Sequence, residues 1–286
     1  MHHVLTLIAR DRTLTDAVLA RARAAVEGGA PVILSAGEAA DIPCPGPSPN
    51  IAEALAGLPI DHAVLPAVNR RKMLLVADMD STIVTTETLD ELAAEAGHGA
   101  TVAAITRRSM AGEIDFAEAL RERVAMLRGL SLTALEATWA RTTLMPGATT
   151  LVRTMAAHGA YTALVSGGFT WFTGRVAVQA GFDTHRANRL LDDGAALTGA
   201  VAEPILDRDA KRAALTELAA AHGLVLDDTL AVGDGANDLA MIGAAGLGVA
   251  YHAQPVVAAA ARVRIEHTNL RALLFLQGYP ASVFVP

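Results

Sequence analysis

Two aspartates lie one residue apart in the stretch DMDST, residues 78–82. Asp78 and Asp80 could act as a catalytic pair, with one carboxylate as nucleophile and the other as general acid and base. Taken alone, the same stretch is also typical of a loop whose acidic residues cap the next helix. It therefore indicates either covalent catalysis or a structural cap, and other motifs are needed to choose between them.

A second acidic group lies far along the chain, in the stretch GDGAND, residues 233–238. The paired carboxylates of Asp234 and Asp238 suit a hard cation such as Mg²⁺, and the glycines keep the turn compact. The structural alternative is a polar turn that caps a helix. The density of the motif favours the cation site.

Two weaker signals lie between these motifs. Ser166, Gly167 and Gly168 could bring a hydroxyl and backbone N–H groups against an anion, or could simply form a tight turn. Lys211 lies in a predicted helix, where a lysine is usually exposed on the surface. Neither signal identifies a site by itself.

Three continuous apolar runs place these residues in a fold. MLLVA ends at Asp78, TALV ends at Ser166, and TLAV ends just before Asp234. Continuous apolarity favours strands of a parallel sheet that is covered on both faces, with helices predicted over 148–157 and 210–222 as crossovers. Ligands bind at the carboxyl ends of such strands, so Asp78, Ser166 and Asp234 are expected to converge.

The stretch between the first of these strands and Pro146 shows helical periodicity and almost no strand signal. It is too long for an ordinary crossover, so we expect a helical cap over about 86–145 that acts as a lid, with Met110 and Phe116 on its underside. Helices are predicted over 87–97, 102–110, 116–127 and 133–141. A hairpin is predicted near Asp193 and Gly194, which supply its turn.

The first 70 residues predict a separate small α/β unit, with the second domain over 71–286. Its predicted strands cover 3–9, 31–37 and 62–67, and its predicted helices cover 15–26 and 51–58. The proline-rich segment 41–50 is predicted to be a loop because proline interrupts helices and central strands. The basic stretch 69–72 is interpreted as a solvated linker.

Composition excludes several classes of protein. Of 286 residues, 52% are hydrophobic and 19% are charged, which is typical of a folded chain. A net charge of -7 opposes binding to nucleic acid. No apolar stretch is long enough to span a membrane, no signal peptide is expected, and the single cysteine, Cys44, favours a reducing cytoplasm.

In this order and at these strand ends, the motifs resemble those of the haloacid dehalogenase (HAD) superfamily. DMDST matches the first motif, Ser166 the second, Lys211 the third and GDGAND the fourth. The resemblance implies a doubly wound, Rossmann-type core with a helical cap after its first strand. It also implies that Asp78 attacks phosphorus and that Asp80 protonates the leaving oxygen. Dehalogenase members lack the second aspartate, so Asp80 favours phosphoryl chemistry.

Longer stretches resemble the phosphoserine phosphatases: DSTIVTTETLDELAAEAG, MAGEIDFAEALRERVAMLRGL, VSGGFTWF, ANRL…LTG and VGDGANDLAM. The resemblance implies hydrolysis of O-phospho-L-serine through an aspartyl-phosphate, the last step of phosphorylated serine biosynthesis. It places Glu87 and Arg123 on the amino acid part of the substrate. Their charges suit its ammonium and carboxylate groups. Without the neighbouring motif, an exposed ion pair on a helix would be the expectation for either residue.

The resemblance also assigns the remaining motif residues. Mg²⁺ is expected to be bound by Asp78, by the main-chain carbonyl of Asp80 and by Asp234. Asp238 is expected behind the metal, where it holds metal-bound water and a lysine. The other residues expected at the substrate are Ser166, the Gly167 N–H, Lys211 and Asn237.

The N-terminal unit resembles the ACT-type amino acid-sensing domains of long bacterial phosphoserine phosphatases. That fold has four strands whereas three are predicted here, so dimerisation, with a homodimer as one possible state, and a purely structural role stay open. Two other functions also stay open. One is a HAD-type phosphatase for another small phosphomonoester such as phosphohomoserine, and the other is a non-catalytic serine sensor, against which the intact motif set argues.

Overall fold

The computed structural model describes residues 2–286, apart from the side chains of Met110 and Arg208, so the role predicted for Met110 lies outside the described residues. The N-terminal unit is a four-stranded antiparallel sheet of order β2-β3-β1-β4 with two helices. Its elements follow the order βαββαβ of ferredoxin-like units. They are β1 (His3–Ala9), α1 (Asp16–Ala25), β2 (Val32–Ser35), β3 (Ala39–Cys44), α2 (Asn50–Ala54) and β4 (Ile60–Pro66).

The prediction of a loop over 41–50 is wrong for residues 41–44, because Ala39–Cys44 forms strand β3. Pro43 fits in this strand because β2 pairs with β3 only as far as Asp41, so the N–H that proline lacks has no partner strand to meet. The count of three strands is therefore wrong, and the unit has four. Its assignment as an ACT-type domain stays a prediction.

The basic stretch after β4 is also different from the prediction. The guanidinium of Arg70 donates two hydrogen bonds to the Asp41 carboxylate, at 2.5 and 3.1 Å, and the Lys72 ammonium donates to the carbonyl oxygens of Asn69 and Asp227, at 2.7 and 2.6 Å. Lys72 is only 7% exposed. Arg70 and Lys72 thus form a largely buried junction between the two sheets, whereas Asn69 and Arg71 are exposed. The predicted solvated linker is wrong for Arg70 and Lys72, because Asp41 and Asp227 are distant in sequence.

The second sheet has six parallel strands in the order β12-β11-β10-β5-β6-β7. Its strands are β5 (Leu74–Ala77), β6 (Tyr161–Phe169), β7 (Thr184–Asn188), β10 (Thr229–Gly233), β11 (Leu247–Tyr251) and β12 (Val263–Ile265). Its helices are α7 (Ala148–Ala157), α8 (Thr170–Ala180), α9 (Arg208–Ala221), α10 (Leu239–Ala244), α11 (Pro255–Ala260) and α12 (Ala272–Leu276). This is the predicted doubly wound core, except that β6 continues past Ser166, although its pairing with β5 ends at Leu164.

The cap follows β5 as predicted and consists of four helices. They are α3 (Thr88–Glu95), α4 (Gly99–Met110), α5 (Phe116–Ala125) and α6 (Thr133–Arg141). A bridge between Val84 and Leu144 joins the two chain segments that enter and leave the cap. The predicted hairpin is β8 (Leu190–Asp192) with β9 (Leu197–Val201), and it binds the cap through a hydrogen bond from the Gly129 N–H to the Leu197 carbonyl.

The two sheets share part of one hydrophobic core. Ile8 and Leu34 of the N-terminal unit belong to the same cluster of buried side chains as Leu273 and Tyr279 near the C-terminus. Asp61 strengthens this contact, because its carboxylate accepts hydrogen bonds from the backbone N–H groups of residues 266–268. In the described part of the chain, no helix is long and apolar enough to cross a membrane.

Candidate active site

The carboxyl ends of three neighbouring strands, β10, β5 and β6, bring the predicted site residues together. A cavity of about 50 Å³ lies between these strand ends and the cap. The predicted residues that line it are Asp78, Asp80, Glu87, Arg123, Ser166, Gly167 and Asn237. The others, Lys211, Asp234 and Asp238, lie beside Asp78, so the predicted convergence is confirmed.

Asp78 directly follows β5 and has both carboxylate oxygens held. The backbone N–H of Met79 donates to Oδ1 at 2.7 Å, and the ammonium of Lys211 lies 2.8 Å from Oδ2. The residue is only 6% exposed, yet it lines the cavity. This arrangement fixes the direction of the carboxylate while leaving lone pairs that can face a substrate.

Lys211 is completely buried, contrary to the usual position of a lysine. Its ammonium also donates to Asp238 Oδ1 at 2.6 Å, and Asp238 Oδ2 accepts from the N–H groups of Asp234 and Gly235. Burial lowers the pKa of Lys211, but the negative charges of Asp238 and Asp78 raise it by a larger amount. The pKa of Lys211 therefore lies above its ordinary value. Lys211 therefore stays positively charged beside Asp78.

Asp80 is positioned by the beginning of α3, where the Thr88 N–H donates to its Oδ1 at 2.9 Å. Burial, together with the nearby charge of Asp78, raises the pKa of Asp80 to about 7. A Cβ atom at Gly168 would lie 2.7 Å from Asp80 Oδ2, so a larger residue there would displace the carboxyl group. An acid with this pKa can donate and accept protons near neutral pH.

Three buried carboxylates, those of Asp78, Asp234 and Asp238, offer oxygen atoms within 4.8 Å of one another. Burial and the charges of Asp238 and Asp78 raise the pKa of Asp234, whose Oδ1 also accepts a hydrogen bond from the Thr82 hydroxyl at 2.9 Å. One lysine cannot balance so many carboxylates. A hard cation that binds oxygen ligands would supply the missing charge, and the donor set fits it.

Glu87 and Arg123 bring a carboxyl group and a guanidinium to the cap side of the cavity. The Ser81 hydroxyl donates to Glu87 Oε1 at 2.5 Å, and burial together with the charge of Asp80 raises the pKa of Glu87 to about 8. Arg123 is 6% exposed and donates to the Ala119 carbonyl and to the Thr106 hydroxyl. Neither residue is part of an exposed ion pair on a helix.

The sequence profile of the haloacid dehalogenase-like hydrolases matches residues 75–243. This match covers more than half of the chain and all of the motifs described above.

The chain belongs to the haloacid dehalogenase-like hydrolases.

Individual relatives of this hydrolase carry a more specific name. This chain is 44% identical over 209 residues to "Phosphoserine phosphatase SerB2" of Mycobacterium tuberculosis, and the match covers 73% of this chain and 51% of that protein. It is 46% identical over 199 residues to "Phosphoserine phosphatase" of Streptococcus thermophilus, across 70% of this chain and 93% of that protein. The chain thus spans about half the length of the mycobacterial relative.

A solved structure also resembles this hydrolase, "Phospho-Aspartyl Intermediate Analogue of Phosphoserine phosphatase". It has a TM-score of 0.69 and 38% identity, and the match covers 72% of this chain and 98% of that chain. The similarity therefore spans nearly the whole length of a protein whose structure holds an analogue of a phosphorylated aspartate.

Several further residues of this hydrolase's site were not predicted. Ser81 and Thr82 lie in the DMDST motif and Thr106 lies outside the motifs, and the hydroxyls of all three are hydrogen-bond partners of predicted site residues. Asn188, whose side-chain amide donates to the Gly167 carbonyl at 2.8 Å, lies in the ANRL stretch that carried the resemblance. That stretch was the available signal.

The cap of this hydrolase lies closed over the core. The ring of Phe116, on α5, approaches Gly167 so closely that a Cβ atom there would lie 2.6 Å from the ring's Cζ. The expected place of Phe116 on the underside of the cap is confirmed. A larger residue at position 167 would require the Phe116 ring to move.

Proposed function

We propose that the protein hydrolyses O-phospho-L-serine to L-serine and phosphate through an aspartyl-phosphate on Asp78. The observation that carries the proposal is the presence of Glu87 and Arg123 in the same small cavity as Asp78 and Asp80. A carboxylate and a guanidinium match the ammonium and the carboxylate of the serine part. The names of the relatives support the same substrate.

In the first step, an oxygen of the Asp78 carboxylate attacks phosphorus and the bond between phosphorus and the serine oxygen breaks. Asp80 gives its proton to that oxygen, so serine leaves with a neutral hydroxyl group. The pKa of Asp80, about 7, suits a group that must be protonated at this moment. The held orientation of Asp78 reduces the reorganisation that the attack requires.

In the second step, Asp80 is a carboxylate and accepts a proton from a water molecule whose oxygen attacks phosphorus. The bond between phosphorus and Asp78 breaks and phosphate is released. Both residues then have their original protonation. The same carboxyl group thus serves as acid and then as base.

The oxygens of the transferred phosphoryl group need positive partners as charge spreads over them. Lys211 lies within reach of Asp78 and carries the charge. The Ser166 hydroxyl accepts from the Gly168 N–H at 2.9 Å, so its own proton is free for a phosphoryl oxygen. The Gly167 N–H and Asn237, both at the cavity, complete the proposed set.

The proposed cofactor is Mg²⁺. Asp78, Asp234 and the main-chain carbonyl of Asp80 would hold it, with Asp238 holding Lys211 and metal-bound water behind it. When bound, such a cation neutralises charge on the nucleophile and on the phosphoryl group. Asp238 fits the position behind the metal because its two oxygens already accept hydrogen bonds from Lys211 and the 234–235 backbone.

The contact between the Phe116 ring on α5 and Gly167 on β6 holds the cap against the strand ends. We expect this contact to open for substrate entry and product release and to close during phosphoryl transfer. Closure then excludes bulk water from the aspartyl-phosphate.

In the cell, this activity would be the last step of phosphorylated serine biosynthesis, and the single cysteine fits a reducing cytoplasm. The domain division at residue 70, the ACT-type assignment and a homodimer belong to the same proposal. The βαββαβ order of the N-terminal unit supports an ACT-like architecture. Phosphoserine is then the small-molecule partner, with neither nucleic acid nor membrane involved.

Turnover of phosphoserine, phosphohomoserine and phosphoethanolamine, with Mg²⁺ and with EDTA, tests the proposal. We expect Mg²⁺-dependent release of phosphate, with the highest kcat/KM for phosphoserine. A higher kcat/KM for phosphohomoserine would assign the enzyme to that substrate. Serine binding without any turnover would instead identify a sensor.

A further inference from the structure

Three cap helices meet at the guanidinium of Arg123. Arg123 lies on α5, Thr106 on α4 and Asp90 on α3. The Arg123 Nη1 donates to the Thr106 Oγ1 at 3.0 Å, and the Thr106 hydroxyl donates to Asp90 Oδ1 at 2.5 Å. These contacts form one chain of hydrogen bonds that begins at a carboxylate and ends at the arginine.

The donors and acceptors in this chain of hydrogen bonds are fixed by the chemistry of the hydroxyl. Threonine has one proton to donate, and Arg123 can only donate, so the Thr106 hydroxyl must accept from Arg123 and give its own proton to Asp90. Thr106 is only 3% exposed, so water does not offer an easy replacement partner. The negative charge of Asp90 strengthens both hydrogen bonds.

Two nitrogens of the guanidinium are engaged, one by this series of hydrogen bonds and one by the Ala119 carbonyl. Nε donates to the Ala119 oxygen at 3.1 Å, and Nη1 donates to Thr106. Among the described residues, Nη2 has no hydrogen-bond partner, and Arg123 lines the cavity. The guanidinium is thus held through Nε and Nη1, and Nη2 can donate to a substrate group.

Without the hydrogen bond from Nη1 to Thr106, the guanidinium would keep only the bond from Nε to the Ala119 carbonyl among the contacts described above. Arginine side chains also have many rotamers, so an unrestrained guanidinium spends less time in the binding orientation.

We infer that Thr106 and Asp90 are positioning residues that hold Arg123 in the orientation that binds a substrate carboxylate, and that they thereby set the selectivity for phosphorylated amino acids over phosphorylated amines. The inference rests on the proposed function, since it requires the serine carboxylate to bind Arg123. Thr106 also lines the cavity, but its hydroxyl is hydrogen-bonded to Arg123 and Asp90 rather than to Asp78 or Asp80.

The test compares kcat/KM for phosphoserine with kcat/KM for phosphoethanolamine, which lacks the carboxylate, in the full-length protein with Mg²⁺. Thr106→Val removes the hydroxyl and keeps the shape of the side chain. We expect it to lower the phosphoserine value about 10-fold, mainly through KM, and to leave the phosphoethanolamine value within about 2-fold. Thr106→Ser restores the hydroxyl and should restore the selectivity.

Two further variants sharpen the comparison. Asp90→Asn keeps an acceptor but removes the charge, so it should reduce the same selectivity to a smaller extent. Because both residues act through one chain, the double variant Thr106→Val/Asp90→Asn should lose less than the product of the single losses. Thr138→Val is the matched control, since the Thr138 hydroxyl on α6 is buried without a partner among the described residues, and it should leave both substrates unchanged.

Equal losses for the two substrates in Thr106→Val would overturn the inference, because they would indicate a general structural role in the cap. Unchanged selectivity in a folded Thr106→Val protein would overturn it as well. If Thr106→Val does not fold, unchanged selectivity in Asp90→Asn has the same meaning. A wild-type enzyme without preference for phosphoserine over phosphoethanolamine would instead contradict the proposed function, and the inference with it.

Discussion

Lys211 and Asp78 form a buried ion pair, with the lysine Nζ 2.8 Å from the aspartate Oδ2. The lysine comes from α9 and the aspartate from the end of β5. Their side chains are 1% and 9% exposed, so water contributes little screening. The pair therefore both orients the nucleophile and keeps a positive charge next to the phosphoryl group.

Lys211→Met should reduce turnover of phosphoserine by on the order of 10²- to 10³-fold, which is typical when a charged group that stabilises the transition state is removed. It should also lower the melting temperature, since Asp78 and Asp238 lose their buried counter-charge. Steady-state kinetics and thermal melting check both effects. Turnover close to that of the wild type would show that Lys211 has no role in phosphoryl transfer.

Asp234→Asn should preserve the fold but abolish most Mg²⁺-dependent turnover, because it removes a carboxylate from the acidic group of three. A bound ion stabilises the folded state, so the wild-type melting temperature should rise with Mg²⁺ concentration. That rise should be much smaller in Asp234→Asn. A normal rise together with normal turnover would exclude Asp234 as a metal ligand.

Stability of the metal-free protein should depend on pH through its buried acids, which include Asp234 and three others. The pKa values of Asp80 and Asp238 are raised to about 7, and that of Glu87 to about 8, primarily by burial. An acid whose pKa is raised on folding stabilises the folded state fully below its ordinary pKa, and this contribution is lost as the pH rises through the folded value. The free energy of unfolding should therefore fall between about pH 5 and pH 8.

Urea unfolding in EDTA across this range measures the effect. Glu87→Gln cannot ionise at this position and should show a smaller fall with pH. Mg²⁺ should also reduce the fall, because it favours the ionised carboxylates. A free energy of unfolding in EDTA that does not change with pH would mean that these acids are not protonated in the folded protein.

Arg70→Met should destabilise the protein by about 3 to 5 kcal/mol, since it leaves the Asp41 carboxylate buried without a positive partner and with only the Thr6 hydroxyl as a side-chain donor. The pair is 11% and 10% exposed. Arg186→Met is the matched control, because its pair with Glu217 is exposed and should contribute at most about 1 kcal/mol. Urea unfolding tests both variants, and turnover at 25 °C should stay near that of the wild type. Equal effects of the two substitutions would argue against the buried junction.

The sequence was informative where one physical rule acted alone. Helical periodicity predicted the cap helices to within a few residues, and apolar runs predicted the strands that end directly before Asp78 and Asp234. The fold could not be predicted where tertiary contacts override local rules. Pro43 is tolerated in strand β3 because the neighbouring strand β2 ends before it, and the Arg70 side chain is only 11% exposed because it pairs with Asp41.

The site shows the same division. Residues with charges at strand ends were predictable, whereas the hydroxyls of Ser81, Thr82 and Thr106 were not. Thr82 and Thr106 act through partners on other segments of the chain, Asp234 and Arg123, so their roles depend on three-dimensional proximity. Ser81 lies in the same loop as its partner Glu87, but its residue type alone does not indicate this hydrogen bond. A threonine in a helix gives no sign of this in one sequence.

The central claim, covalent catalysis by Asp78 with Asp80 as acid and base, is tested most directly by mass spectrometry of the phosphoenzyme. Asp80→Asn keeps the nucleophile but lacks the base for the second step, a role worth about 10²- to 10⁴-fold. With p-nitrophenyl phosphate, whose leaving group needs little protonation, this variant should show a burst of nitrophenol and a phosphate mass on Asp78, and Asp78→Asn should show neither. Phosphate found on Asp80 in the wild type, or a phosphorylated Asp78→Asn protein, would contradict the account.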